Sequence, residues 1–559
     1  MLNKPLSEYP RPQLKRDSYL CLNGEWEYAI RKDESIPTSF DGAIIVPFSP
    51  ETIASGVNKT LHPDEYLFYR LFFTLDQTFI KDKVILHFMA VDQIADVYLN
   101  GVHLGQHIGG YLPFEFEIKK YLKDKNELIV KVKDETDNNS LSRGKQKIKR
   151  GGIWYTPQSG IYLPVWLESV CDDYIQDIRF TPDIDKNEVI VNVKSSASDA
   201  LINIEGVNHA IKTNEDVAIK INNRYLWSPE NPYLYPVVVS TKNDKVESYF
   251  AMRKVSIVEH DKHKVIALNN KPYFMKGVLD QGYWKKGLYT PESYDDYIKD
   301  IELVKSLGFN TIRKHIKIEA PRFYYECDRL GVLVWQDFIN GGGHYKLPTI
   351  VLPLITGIHH KDTNYSKFAR QDEFGRRFAI QEFKDTINYL YNCPSIVLWT
   401  IFNEGWGQFD SKSVLEEISK LDKTRLYDHA SGWHDQGISD VKSLHVYFKR
   451  VKMPKDKSIK NRAVILSEFG GYLLPIENHM QTGKRTYRSF ANYDKWLEAY
   501  KKAIEEDVIK NIPLGLTASI YTQLSDVEDE LNGFVTFDRE VVKVNPNDIK
   551  VINDRIKIE

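Results

Sequence analysis

Ile396-Val-Leu-Trp-Thr-Ile-Phe-Asn-Glu-Gly-Trp-Gly407 decides how the second half of the chain is read. Its apolar and β-branched run carries no polar face at helical spacing and stops abruptly at Asn403, Glu404 and Gly405, so it predicts a short strand buried on both faces. Ala463-Val-Ile-Leu-Ser-Glu-Phe-Gly-Gly471 repeats the pattern. Six more runs of this kind are Tyr273–Val278, Thr311–His315, Leu333–Phe338, Leu426–Ala430, Ser443–Tyr447 and Thr517–Thr522. They alternate with amphipathic helical stretches such as Tyr294–Leu307, Phe374–Tyr391, Lys412–Leu421 and Tyr493–Ile509. Strands alternating with helices form parallel sheets, and eight runs in about 300 residues predict a (β/α)8 TIM barrel over residues 259–559.

Working outward, the preceding residues change period. From Trp26 to Val170 the chain reads as short alternating strands, including Ala43–Val46, Leu67–Thr74, Val84–Phe88, Ala95–Leu99, Glu127–Val132 and Val165–Ser169, with turn pairs at Asn100-Gly101 and Gly109-Gly110. This predicts a jelly-roll-like β-sandwich over residues 1–172. A smaller set, Val189–Val193, Leu201–Ile204, Asp216–Ile219, Pro236–Thr241 and Glu247–Met252, suits an immunoglobulin-like sandwich over residues 173–258. Three domains agree with 559 residues.

The bulk numbers narrow the function. With 42% hydrophobic residues, 27% charged, and 75 Lys+Arg against 77 Asp+Glu, the chain is an ordinary globular one and lacks the basic excess of a nucleic-acid binder. No apolar run approaches the ~20 residues of a membrane helix, and the N-terminal segment has no secretory h-region, so a cytoplasmic protein is expected. Cys21, Cys171, Cys327 and Cys393 are far apart and lack metal-ligand spacing, which predicts free, mostly buried thiols. Nothing in the pattern opposes a homo-oligomer.

In TIM barrels the chemistry sits at the carboxyl ends of the strands. Glu404 ends the fourth run and Glu468 the seventh, so the two face each other across one mouth. Such a pair suits glycoside hydrolysis: one carboxyl protonates the leaving oxygen while the other, ionised, attacks the anomeric carbon. No metal or organic cofactor is required.

With these segments in place, the chain resembles glycoside hydrolase family 2, the β-galactosidases, β-glucuronidases and β-mannosidases. The likeness rests on Leu22-Asn-Gly-Glu-Trp26, Tyr98-Leu-Asn-Gly101, Gly109-Gly-Tyr-Leu-Pro-Phe114 and Ser159-Gly-Ile-Tyr-Leu-Pro-Val-Trp166 in the first sandwich, and on Trp399–Gln408 and Leu466–Gly471 in the barrel. It implies a retaining exo-β-glycosidase with Glu404 as acid/base, Glu468 as nucleophile and Asn403 on the sugar 2-hydroxyl. Arg313 and His315 close the second strand, where the family has an Arg and a nearby His; Arg313 would pair with Glu468, and His315 serves either substrate or structure. Tyr447 resembles the tyrosine that orients the nucleophile, and His445 stands beside it.

Asp280 either receives sugar hydroxyls or caps its loop, and Trp433 and Trp284 are either stacking walls or core. The acids of Gln523–Asn532 either bind hydroxyls or are solvated. The motifs mix branches of the family: Trp335-Gln-Asp-Phe338 is similar to β-mannosidases, Asn403-Glu-Gly-Trp-Gly407 to other members. A β-galactoside is ranked first, then a β-glucuronide or β-galacturonide, a β-mannoside and an α-L-arabinopyranoside. An Asn-x-Lys pair for a uronate is not recognisable, since Asn461 precedes its strand. A catalytically inactive carbohydrate-binding protein and a transglycosidase are the competing classes. Turnover of aryl β-glycosides separates the first, and product analysis at high acceptor concentration the second.

Overall fold

The computed structural model describes residues 4–455, 459–481 and 488–558. The first sandwich packs a four-stranded sheet, whose central members are Val165–Val170 and Lys83–Phe88, against a six-stranded sheet running from Gly42–Val46 to Val102–Ile108. Alternate residues of these strands, among them Trp26, Phe88, Val97 and Val130, close the core between the sheets. The second sandwich has three strands facing four, around Ile178, Val191, Ile202 and Val239. The expected change of domain at residue 258 falls inside a strand, Val255–His260, which pairs with His263–Leu268. That hairpin leads into the barrel and lies under it: Ile266 shares a core with Met275, Val397 and Ile465 of the barrel strands, and its N–H donates to Thr517 Oγ1 at 2.9 Å.

The barrel strands are β1 (Met275–Asp280), β2 (Thr311–Lys314), β3 (Leu333–Asp337), β4 (Ile396–Thr400), β5 (Leu426–Asp428), β6 (Val441–Val446), β7 (Ala463–Gly470) and β8 (Leu516–Thr522). All eight expected runs are present, displaced by no more than a few residues at their ends. The parallel ladder runs β5-β4-β3-β2-β1-β8-β7-β6. Its end strands are stitched by side chains instead of a ladder. Ser431 Oγ, just after β5, lies 3.2 Å from Ser443 Oγ on β6 and 3.0 Å from Ser467 Oγ on β7.

The main helices outside are α1 (Asp295–Ser306), α2 (Pro321–Leu330), α3 (Glu373–Leu390), α4 (Ser411–Ile418) and α5 (Tyr493–Ala503). The α3 start is set by Asp372, whose carboxylate accepts the N–H groups of Phe374 and Gly375, an N-cap. The stretch expected as one helix to Ile509 breaks into a π turn, Ile504–Val508, and a 3-10 turn, Ile509–Leu514, where Pro513 cannot supply an N–H. All four cysteines are free and buried.

Candidate active site

The β4 strand delivers Glu404 by a sharp backbone reversal. Glu404 itself has φ 50°, a conformation that costs a non-glycine residue energy, and its N–H donates to Ser431 O at 2.9 Å, which holds the reversal in place. Gly407 follows at φ 62°, and a Cβ there would stand 2.2 Å from Gly341 O, so the loop closes only with glycine.

On β7, Glu468 is 5% exposed and both its oxygens are engaged. Arg313 Nη1 donates to Oε1 at 3.0 Å, and the Tyr447 hydroxyl donates to Oε2. Arg313, at the end of β2 and fully buried, is itself forked onto Asp337 by Nε at 3.1 Å and Nη2 at 2.9 Å, and Nη2 also donates to Asn403 Oδ1 at 2.8 Å. That last bond fixes the Asn403 amide. Its Nδ2 is buried without a protein partner, an unsatisfied donor beside the two glutamates.

His445 stands between the carboxyls. Its Nδ1 lies 2.9 Å from Glu404 Oε1, and its Nε2 lies 3.0 Å from Ser431 Oγ and 3.6 Å from Glu468 Oε1. The three side chains place ligand atoms within 4.8 Å of one another, so oxygens of the two glutamates are that close. Trp433 donates from Nε1 to Glu404 O at 3.0 Å and sets its ring edge-on to His445 at 5.5 Å.

The two carboxyls are driven apart in acidity. Burial raises the Glu404 carboxyl above its ordinary range and the Glu468 charge adds to this, outweighing the contact with His445. Burial alone would raise Glu468 too, but His445 and Arg313, with His315 and the Tyr447 hydroxyl, hold it down to about 2. One is therefore biased toward the acid and the other toward the anion, the division of labour that two-carboxyl chemistry needs.

His315 Nδ1 lies 2.8 Å from Asp337 Oδ2, its ring edge faces Trp406, and burial lowers its pKa to about 4. Asp280 sits at the end of β1 with Lys314 Nζ at 2.5 Å and the Gly282 N–H at 2.9 Å, so protein donors occupy both its oxygens. Trp284 stands apart from the cluster: its ring contacts Tyr297, Lys317 and Arg539.

The acids after β8 are not solvated, which corrects one expectation. Asp526, Glu528, Asp529 and Glu530 are all 2% exposed or less. Asp526 meets Lys543 at 2.7 Å, Glu528 takes the Thr156 N–H at 3.2 Å, Asp529 the Gly152 N–H at 3.1 Å, and Glu530 takes Lys145 at 3.5 Å and the Tyr155 hydroxyl. The last three bind a loop of the first sandwich onto the barrel mouth. Trp154 of that loop packs on Trp406 at 5.0 Å, two residues past Glu404.

Sequence reading missed Asp337, Lys145, Trp154 and Ser431. Asp337 had a usable signal, a carboxylate ending the third buried run. The other three are brought in by tertiary contacts that no local pattern announces.

Residues 259–544 match the description "Glycosyl hydrolases family 2, TIM barrel domain", residues 20–168 "Glycosyl hydrolases family 2, sugar binding domain", and residues 173–253 "Glycosyl hydrolases family 2". A β-galactosidase of Thermoanaerobacter pseudethanolicus is 26% identical over 502 residues, 82% of this chain and 62% of that protein. A putative β-glucuronidase of Formosa agariphila is 27% identical over 345 residues, 57% of this chain and 37% of that protein. The chain thus spans less than two thirds of the length of either. Among solved structures, a β-D-glucuronidase of Dictyoglomus thermophilum superposes with TM-score 0.75 at 19% identity, covering 98% of both chains. A β-galacturonidase of Eisenbergiella tayi superposes with TM-score 0.72 at 19% identity, covering 98% of this chain and 99% of that one. At such identities these two show the fold. With the barrel domain alone matched over more than half of its residues, the chain belongs to glycosyl hydrolases family 2.

Proposed function

We propose that the chain is a retaining exo-β-glycosidase in which Glu404 is the general acid/base and Glu468 the nucleophile. The observation that carries this reading is the pair itself: oxygens within 4.8 Å, with acidities pushed in opposite directions. Retaining enzymes hold their carboxyls ~5–5.5 Å apart, which leaves no room for a water between nucleophile and sugar.

In the first step Glu468 attacks the anomeric carbon as the glycosidic bond breaks, and Glu404 gives its proton to the leaving oxygen. In the second, Glu404 takes a proton from water, whose oxygen displaces Glu468 from the sugar. Arg313 and Tyr447 keep Glu468 ionised and aimed, and Asn403 Nδ2 donates to the sugar 2-hydroxyl. Hydrolysis is preferred to transfer, and the intact pair speaks against a purely carbohydrate-binding role.

A neutral sugar, with β-galactoside ranked first, suits the charges around the pair. A uronate needs a cation, and Arg313 is spent on Asp337, Glu468 and Asn403, while Lys145 is spent on Glu530. The relatives divide between β-galactosidase and β-glucuronidase, so the order rests on these charges. A panel of nitrophenyl glycosides tests the order. Fast cleavage of the glucuronide or galacturonide, with background rates on the galactoside, would overturn it and leave the mechanism standing.

The mechanism has its own test in azide rescue. Glu404→Ala should still form the glycosyl-enzyme from a good leaving group, then stall, and azide should release the β-glycosyl azide. Glu468→Gly should instead give the α-azide by direct displacement. The opposite stereochemistry would reverse the roles, and no azide product from either variant would refute the mechanism.

A further inference from the structure

Of the two glutamates, Glu404 is the one whose backbone takes a conformation that a side chain disfavours. Its φ of 50° and the φ of 74° at Gly405 put two successive residues in the left-handed region. A non-glycine residue stays there only where the surrounding contacts hold it. Those contacts come from one short segment, Ser431–His434, which follows β5. The Ser431 N–H donates to Phe402 O at 2.8 Å and Ser431 O accepts the Glu404 N–H at 2.9 Å, so the pairing of β4 with β5 continues past the ends of both strands. Trp433 then takes the other side of the same residue, its indole Nε1–H donating to Glu404 O at 3.0 Å. Both polar groups of the Glu404 backbone are thus held from one segment.

His434, fully buried, backs that segment. A Cβ on Gly405 would stand 2.5 Å from His434 Cδ2, so the imidazole is pressed directly on the turn. Its Nδ1 accepts the His360 N–H at 3.0 Å, which leaves the proton of the neutral ring on Nε2, and Nε2 donates to Thr349 O at 2.8 Å. Burial lowers the His434 pKa to about 4, in keeping with a neutral ring. His360 stacks on it at 5.4 Å and Phe368 meets it edge-on at 5.0 Å. Thr349, His360 and Phe368 all belong to the segment between β3 and α3, so that segment is the wall against which the Glu404 turn rests.

An indole at a barrel mouth is otherwise expected to stack on the sugar. Trp433 is 6% exposed, its N–H is taken by Glu404 O, and its ring meets His445 edge-on at 5.5 Å, which favours a role through Glu404. We propose that Trp433 is a positioning residue: it aims the Glu404 carboxyl by holding the Glu404 peptide, with His434 as its backing, and is not a platform for substrate. The proposal rests on the reading of Glu404 as acid/base. A carboxyl out of line with the leaving oxygen loses proton transfer in both steps, while attack by Glu468, which Arg313 and Tyr447 hold independently, is untouched.

The test is Trp433→Phe, which keeps an aromatic ring and deletes the N–H, assayed on the phenyl and dinitrophenyl glycosides of the sugar best cleaved in the nitrophenyl panel. Phenol needs protonation to leave and dinitrophenol does not. On the phenyl glycoside kcat/KM should fall about five- to tenfold, the size of one hydrogen bond, through kcat and with KM unchanged. On the dinitrophenyl glycoside kcat/KM should hold. There kcat should fall, because attack by water needs Glu404 as base, and azide should restore it with release of the β-glycosyl azide. His434→Ala should show the same pattern more weakly, since it keeps the indole N–H and loosens its backing. Labelling of Glu468 by a 2-deoxy-2-fluoro dinitrophenyl glycoside, read by mass, counts the folded sites, so each variant is scored per active site.

Three results overturn the proposal: an equal loss on both glycosides, a loss carried by KM alone, or rates on the phenyl glycoside in either variant equal to those of the unaltered chain. The first two would make Trp433 a wall of the sugar site. Glu404→Ala is the reference in every assay. If it lacks the leaving-group dependence, the reading of Glu404 fails and takes the proposal with it; if it shows the dependence and Trp433→Phe does not, the proposal alone fails.

Discussion

Replacing His445 by alanine should move the alkaline limb of kcat/KM upward, by about one pH unit, for a substrate whose leaving group needs protonation. His445 Nδ1 is 2.9 Å from Glu404 Oε1, and this contact works against the burial and the Glu468 charge that raise the Glu404 carboxyl. Removing the opposing contact raises it further, so the acid form persists to higher pH. A hydrogen bond to a charged group contributes about 1.5–3 kcal/mol, and 1.36 kcal/mol corresponds to one pKa unit, which gives about one to two units. The lower end applies because the space left by the imidazole admits water, which stabilises the carboxylate again. His445 is also the leading partner that keeps Glu468 ionised, so the acid limb should rise as well and kcat should fall. The assay is the pH profile of a phenyl or methyl glycoside, paired with a dinitrophenyl glycoside that leaves without protonation. The alkaline limb should shift for the first and be weak or absent for the second. A limb that stays in place, or moves to lower pH, would show that His445 does not tune Glu404.

Arg313→Met should destabilise the fold by about 3–5 kcal/mol, because it strands Asp337 and Glu468 as buried carboxylates without their counter-charge, and a urea midpoint unchanged within error would contradict this. Exhaustive treatment with chelator should leave activity intact, since two carboxyls suffice. Added zinc should inhibit, because Glu404, His445 and Glu468 are close enough to trap it, and loss of activity in chelator that zinc restores would refute both statements. Glu530→Gln should loosen the Lys145–Tyr155 clamp, lower Tm because Lys145 is left buried without its counter-charge, and raise KM several-fold; an unchanged KM would show that the clamp does not shape the site.

The fold was legible because each barrel strand is buried on both faces and so reads as an unbroken apolar run, and because Glu404 and Glu468 interrupt two of those runs at the same end. Asn403, Arg313, Tyr447 and His445 also stand where strands stop, but it was the resemblance to the family that singled them out. Asp280 and Trp284 end or follow β1 in the same way, yet Asp280 is held by Lys314 and Gly282 and Trp284 packs on Tyr297. Position at a strand end does not say which way a side chain turns. What eluded the sequence was the partner across a gap: Asp337 for Arg313, and the loop around Lys145, more than 370 residues before Glu530.

That distant loop changes how the barrel's acidic run is understood. Four acids between Asp526 and Glu530, left in water, would spread negative potential over a mouth that already holds Glu404 and Glu468, and would raise both carboxyls. The first sandwich cancels this by bringing Lys145, Arg150 and two backbone N–H groups to them, while Lys543 meets Asp526 from the barrel side. Lys145 does more than neutralise, because its charge also reaches Glu404 and opposes the rise in that carboxyl. Docking of the sandwich and the acidity of the candidate acid/base are therefore parts of one electrostatic network. A barrel freed of its first sandwich would lose Lys145 from beside Glu404, and that carboxyl would rise further.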